Sequence, residues 1–196
     1  MKYKIVLFDS DGVTLKEDKY FSEYLAKQGL ISSLDKTTPF FNGIFQDCLL
    51  GKADLKQELA KVIDEWGWEG TIDELVDYWF AVGDDLNEDV VSYINELTKN
   101  NVRCYMTADQ EKYRAGYLRK KLSYLFEDFF FAGEIRYAKK EPEFFEYVYG
   151  KVGQSVNEKS EILFIDDMEH NVKNARAFGI EAVHFRTIED LPELKS

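Results

Sequence analysis

The chain has 196 residues, of which 45% are hydrophobic, 15% aromatic and 32% charged, with three prolines and twelve glycines. That length suits one large domain, or one domain with an insertion, and the composition excludes a collagen, a coiled-coil rod, a low-complexity linker and a wholly disordered chain. The formal net charge of −12 repels phosphate backbones and anionic lipid, so neither nucleic acid nor a membrane surface is an expected partner; a small anionic substrate stays possible where a metal inverts the local field.

Residues 3–8 form a nearly continuous apolar run, as in a strand covered on both faces of a parallel sheet. It stops at Asp9-Ser10-Asp11-Gly12. The same two aspartates interrupt the only apolar run near the N-terminus, so no signal-peptide core is expected there. No stretch is long and apolar enough for a bilayer span. Cys48 and Cys104 make no zinc or disulfide pattern and read as buried free thiols of a reducing compartment. A soluble cytoplasmic protein, monomer or homodimer, is the expectation.

Residues 15–86 contain no convincing strand. They read as three or four helices, near 19–28, 40–50, 54–66 and 72–82, and Thr71 with Glu74 matches a capping box for the last. A helical block this long is too large for an ordinary crossover. It is expected to be an inserted helical cap domain, with residues 1–14 and 87–196 forming the catalytic core. Its aromatic residues Phe40, Phe41, Phe45, Trp66, Trp68, Tyr78 and Trp79 read mainly as the cap's own core.

From residue 87 the rhythm changes. Asn87 is placed to cap a helix carrying Val90, Val91, Ile94 and Leu97 that stops near Asn100 and Asn101. A strand over 102–106 ends at Thr107. Asp109 is placed to cap a helix running to about Leu122, on which Arg119, Lys120 and Lys121 read as a solvated face. A weaker strand covers 128–131. Pro142 suits the first turn of a helix containing Phe144, Phe145 and Val148. A strand over 162–165 ends at Asp166 and Asp167, a helix expected from Asp167 to Phe178 closes at Gly179, and a last weak strand covers 180–185. His170 reads as solvent-facing and His184 as structural. The alternation predicts right-handed βαβ units: an α/β, Rossmann-like parallel sheet flanked by helices, with the small α-helical cap inserted.

The polar residues at the carboxyl ends of these strands carry the chemistry, because ligands of open parallel sheets bind there. Asp9, Asp11, Thr107, Asp166 and Asp167 stand at strand ends, and Lys139 and Lys140 precede the Pro142 helix. Four carboxylates brought together repel one another unless a cation intervenes, and a hard divalent ion with oxygen ligands, Mg2+, fits best. A lysine and a threonine beside it make a socket for a tetrahedral dianion, as phosphoryl transfer requires. One carboxylate can then be the nucleophile, and one two residues on can serve as acid and then base. Gly12 lets the chain leave the strand sharply.

The segment Val6-Leu7-Phe8-Asp9-Ser10-Asp11-Gly12-Val13 resembles the first motif of the haloacid dehalogenase superfamily of phosphohydrolases. Thr107 resembles the second, Lys139-Lys140-Glu141-Pro142-Glu143-Phe144-Phe145 the third, and Phe164-Ile165-Asp166-Asp167 with Asn171 and Ala175 the fourth. The helical block sits where capped members carry theirs, and Gly51-Lys52-Ala53-Asp54 is similar to that cap. The resemblance implies Asp9 as nucleophile, Asp11 as general acid and base, and Mg2+ held by Asp9, the Asp11 carbonyl and Asp167, with Asp166 in support. It implies Thr107 and Lys139 gripping the phosphoryl group. Ala108 occupies a substrate-side position where asparagine is common, and Lys140 replaces a proline. The choice between Lys139 and Lys140 stays open, with the spacing to Pro142 favouring Lys139. Dehalogenases of the family lack the second aspartate, so Asp11 points to phosphate esters. The resemblance thus implies a Mg2+-dependent phosphatase acting on a small phosphorylated metabolite, such as a sugar phosphate, through an aspartyl-phosphate. A phosphomutase of the same family, and a non-catalytic or signalling module similar to receiver domains, are the alternatives.

Overall fold

A computed structural model describes residues 2–16 and 21–194. Strand β1 (Ile5–Phe8) is fully buried, and its residues alternate between two cores, Val6 and Phe8 on one face, Ile5 and Leu7 on the other. That explains why the run shows no polar alternation. Among the described residues, the helices α1 (Phe21–Lys27), α2 (Leu34–Asn42), α3 (Ile44–Leu49), α4 (Leu55–Leu59), α5 (Ile63–Trp66) and α6 (Ile72–Val82) follow. Then come α7 (Glu88–Lys99), β2 (Arg103–Ala108), α8 (Lys112–Leu122), β3 (Asp128–Phe131), α9 (Ala132–Ile135), α10 (Pro142–Val152), β4 (Ile162–Asp166), α11 (Glu169–Phe178) and β5 (Glu181–His184).

Among the described residues, five strands form one parallel sheet in the order β3-β2-β1-β4-β5. Phe8 pairs with Met106 on one side and Ile165 on the other. The register therefore brings the residues just beyond, Asp9, Thr107 and Asp166, to one level at the carboxyl rim. Val90, Ile94 and Leu97 of α7 and Leu118 of α8 cover one face, and Phe144, Phe145 and Val172 of α10 and α11 cover the other. This is the α/β parallel sheet that the strand and helix pattern predicts.

The helices α1–α6 have a separate core around Leu25, Phe40, Leu59, Trp66 and Leu75, against which Tyr113 and Tyr117 of α8 pack. The capping box is present: Thr71 N donates to Glu74 Oε2 at 2.7 Å, and Glu74 N to Thr71 Oγ1 at 3.2 Å. Other boundaries differ from expectation. The helix expected over 40–50 starts at Leu34, runs through Pro39 and breaks at Gly43. The one expected over 54–66 breaks into α4 and α5. Of the helix expected over 19–28, residues 19 and 20 lie outside the described residues.

Two caps also differ. Asn87 precedes α7, but its side chain makes no capping bond. Helix α8 is capped by Glu111, whose carboxylate accepts from Tyr113 N and Arg114 N at 2.7 and 2.6 Å, rather than by Asp109. The Asp109 carboxylate instead accepts from Lys139 N at 3.0 Å, a partner distant in sequence that outcompetes the local cap. Likewise α11 begins at Glu169, not Asp167. Gly179 closes it with φ +99°, a conformation that favours glycine.

Both cysteines are buried and free, and burial pushes the Cys48 thiol up to about 11 and that of Cys104 to about 12. At pH 8 neither forms appreciable thiolate. A thiol-specific chromogenic reagent is therefore expected to find essentially no reactive group in the native protein and both after denaturation. Rapid native labelling at either position would contradict this burial. Among the described residues, no helix is long and apolar enough to cross a membrane.

Candidate active site

Asp9 follows the last residue of β1 and keeps the ladder going by donating its N–H to Ile165 O at 2.9 Å. The chain then turns sharply. Thr14 Oγ1 donates to Asp9 O at 2.7 Å, and Ser10 N donates to Asp9 Oδ1 at 2.7 Å. Gly12 takes φ +77°, and a Cβ there would lie 2.5 Å from Asp167 Oδ2. Only glycine lets the two loops approach this closely.

Lys139 is 3% exposed. Its Nζ lies 2.6 Å from Asp9 Oδ1 and 2.7 Å from Asp166 Oδ2. Lys140 is exposed, so it is Lys139 that enters the cluster. Asp166 is wholly buried and highly engaged: besides Lys139 it accepts from Met168 N at 2.9 Å and Asn171 Nδ2 at 3.1 Å. Asp167 is half-buried, and its carbonyl oxygen lies 2.8 Å from His184 Nε2. His184 thus holds the loop that carries Asp167, a contact that reading it as an apolar-strand residue does not suggest. Thr107 is buried, with Oγ1 donating to Phe8 O at 3.3 Å. The Ala108 methyl packs into the hydrophobic core, which leaves only its backbone for any ligand.

Carboxylate oxygens of Asp9, Asp166 and Asp167 all lie within 4.8 Å of one another. Three carboxylates and one ammonium leave an excess of negative charge in a nearly dry site. Burial raises the Asp9 carboxyl well above its ordinary range; the Lys139 ammonium offsets this only in part, and Asp166 adds to it. Burial and Asp166 also raise Asp167. Burial works against the Lys139 ammonium, but Asp9, Asp166 and Asp109 outweigh it and hold that group above its ordinary value. A proton or a divalent cation has to balance such a cluster, and oxygen ligands at this spacing fit a hard cation.

Asp11 points away from this group. It accepts from Gln110 Nε2 and, at 3.2 Å, from Ser10 Oγ, and it lies 3.6 Å from the Arg114 guanidinium. Arg114 is buried and also donates to the carbonyls of Phe80, at 2.9 Å, and Gly83. One side chain therefore ties the carboxyl end of α6 to Asp11. Sequence reading singled out neither Gln110 nor Arg114; the only signal for Gln110 is its position just past β2. Asp11, Asp109, Gln110 and Arg114 line a cavity of about 630 Å³ between the sheet rim and the helical block, whose far wall includes Phe41, Phe45 and Trp79.

A five-stranded parallel sheet with buried carboxylates and a lysine at its carboxyl rim defines an α/β protein with a candidate cation site at that rim. The chain belongs to the haloacid dehalogenase-like hydrolases, whose family model matches residues 3–179. Comparison with curated proteins gives no match. Among solved structures, the fold is similar to a haloacid dehalogenase family enzyme of Bacteroides thetaiotaomicron, with TM-score 0.77 and 22% identity over 92% of each chain. A structure of that enzyme complexed with magnesium and inorganic phosphate has TM-score 0.73, with 22% identity over 92% of each chain. The fold is also similar to a hydrolase of this type from Porphyromonas gingivalis, with TM-score 0.72 and 18% identity over 93% of this chain and 90% of that one. L-2-haloacid dehalogenase from Xanthobacter autotrophicus, with chloropropionic acid covalently bound, has TM-score 0.64 and 17% identity over 92% of this chain and 76% of that one.

Proposed function

We propose that this hydrolase is a Mg2+-dependent phosphatase that cleaves small phosphate monoesters through an aspartyl-phosphate on Asp9. The observation that carries the reading is the place of Asp11, a second carboxyl beside the nucleophile that lines the cavity. A halide leaves as a stable anion and needs no proton. An alkoxide does need one, and a carboxyl on the leaving-group side supplies it. Support for the phosphoryl end comes from Lys139, whose ammonium is held between Asp9 and Asp166.

Asp9, Asp167 and the Asp11 carbonyl would hold Mg2+, with Asp166 behind them. The ion would neutralise the carboxylates and polarise a phosphoryl oxygen. The Asp9 carboxylate attacks phosphorus as the ester P–O bond breaks, and Asp11 protonates the departing oxygen. Asp11, now a carboxylate, takes a proton from water, which attacks the aspartyl-phosphate and restores Asp9. Lys139 Nζ and Thr107 Oγ1 hold the non-bridging oxygens of the phosphoryl group; the long bond from Thr107 to Phe8 O is easily exchanged. The helical block acts as a cap that excludes bulk water and contacts the leaving group.

The test measures phosphate release from an aryl phosphate, and chloride release from 2-chloropropionate, each with and without Mg2+. Mg2+-dependent phosphate release with no chloride is expected. Chloride release without phosphate release overturns the proposal.

The charge balance also makes stability depend on pH and metal. Asp9 and Asp167 have raised values in the folded state, so their protonated forms favour folding. The stability they contribute is present below the ordinary carboxyl range and is lost as pH rises towards neutrality. A cation that replaces the missing protons restores it. Mg2+ is therefore expected to raise the melting temperature more at pH 7.5 than at pH 5, by on the order of 5 °C at a hundredfold excess over its dissociation constant. Thermal denaturation at the two pH values reads this directly, and an equal shift at both contradicts it.

A further inference from the structure

Resting on the phosphatase reading above, we infer that the cavity beside Asp11 receives the alcohol half of the substrate, and that this alcohol has a flat apolar body and no second anionic group. The cavity adjoins Asp11 rather than Asp9 or Lys139. It therefore lies on the side where the acid meets the leaving oxygen, not where the phosphoryl group is gripped.

Its walls set the chemistry. Phe41, Phe45 and Trp79 are half-buried and packed together, with ring centroids 5.3–5.4 Å apart. Trp79, Phe41 and Phe45 each stack on another ring, Phe21, Trp66 and Phe40 respectively, and the aromatic surface they leave to the cavity suits a flat ring. The carboxylates of Asp11, Glu23, Asp85, Asp109 and Glu111 also line the cavity, against only Lys16 and Arg114 as cations among the described residues. Arg114 is already committed to Asp11 and to two carbonyls of α6 and its end. Setting aside the buried Glu111, the half-buried Asp109, whose carboxylate accepts from Lys139 N, and the Asp11–Arg114 pair, Glu23 and Asp85 face Lys16 alone among the described residues. Among the described residues, a second phosphate or a carboxylate on the substrate meets repulsion with no uncommitted cation except the exposed Lys16. A bisphosphate is thus a poor occupant, which sets this inference against the phosphomutase alternative. A neutral or cationic aryl-bearing alcohol fits.

The experiment uses the Mg2+-loaded enzyme and three esters of matched leaving-group basicity: the phosphates of 4-ethylphenol, tyramine and 3-(4-hydroxyphenyl)propionate. The neutral and cationic esters are expected to exceed the anionic one in kcat/KM by roughly tenfold, mainly through KM, with the gap narrowing in high salt. The Glu23→Gln, Asp85→Asn double variant should shrink it further. Equal or better turnover of the anionic ester, or a gap unchanged in the double variant, overturns the inference. Binding of the same esters, and of methyl phosphate, to the Asp9→Asn variant gives a readout independent of turnover. There the neutral aryl ester should bind roughly tenfold more tightly than methyl phosphate, and equal affinity overturns the flat apolar body. Charge preference in binding without turnover by the parent enzyme overturns the phosphatase reading and leaves the cavity assignment standing; turnover without preference does the reverse.

Discussion

Replacing Asp9 with asparagine is expected to lower Mg2+-dependent phosphate release by roughly 10,000-fold or more while leaving the protein folded. The amide keeps an oxygen that can accept from Ser10 N and from Lys139 Nζ, both now bound to Asp9 Oδ1. It loses the negative charge that makes the oxygen a nucleophile. The same loss helps the fold. Burial raises the Asp9 carboxyl in the folded state, so at neutral pH the ionised group opposes folding relative to its behaviour in water. A neutral side chain of the same shape removes that cost. The metal-free variant should therefore be as stable as the parent at pH 7, or more so. Urea denaturation read beside single-turnover phosphate release separates the two effects. Substantial turnover by the variant removes Asp9 from the nucleophile's role, and a collapsed fold contradicts the electrostatic account of the site.

Lys139→Met should have the opposite profile, with stability and activity lost together. The ammonium is the buried cation facing Asp9 and Asp166. A methionine of similar length fills the space and leaves both carboxylates buried without it. Breaking a buried ion pair from one side costs about 3–5 kcal/mol. The carboxylates hold the Lys139 ammonium above its ordinary value, so its contribution is complete throughout the neutral range and would fade only at strongly alkaline pH. The penalty should accordingly be large at pH 8. It should shrink towards pH 5 as the raised Asp9 takes up a proton. Mg2+ should recover part of the stability without recovering turnover, because the ion balances charge but does not replace the grip on the phosphoryl group. Chemical denaturation at both pH values, with and without Mg2+, checks this. A penalty independent of pH would mean that packing, not charge, is what Lys139 supplies.

Some features of this protein are local and can be read from the chain as written. The unbroken apolar run before Asp9 marks a strand buried on both faces, because a strand with one wet face would alternate. Acids directly after two such runs mark the carboxyl rim, since a parallel sheet brings like ends together. The Thr71–Glu74 capping box and the closure of α11 at Gly179 are equally legible, as both depend on residues within one helical turn. The spacing to Pro142 already pointed to Lys139, and burial shows the difference: Lys139 lies among the carboxylates while Lys140 stays in solvent.

Other features wait on which distant groups become neighbours. Asp109 has the side chain and position of a helix cap, yet it accepts from Lys139 N, thirty positions away, and Glu111 caps α8 instead. Arg114 sits on a helix rich in basic residues, and nothing in the sequence sets it apart from them; packing against the helical block buries it on Phe80 O, Gly83 O and Asp11. Of the breaks within the helical block, the one at Gly43 has a local cause, since a Cβ there would lie 2.6 Å from Pro39 O, whereas the one between α4 and α5 follows from folding short segments around the Trp66 core. In summing a chain's preferences, hydrophobic period and helix-end chemistry act over a few residues, so sequence alone determined the layers, the rim and the acids on it. The partner of a buried polar group is chosen by whatever the completed packing places within three ångströms, and so the tertiary structure alone decided the orientation of Asp11, the burial of Arg114 and the cavity between them.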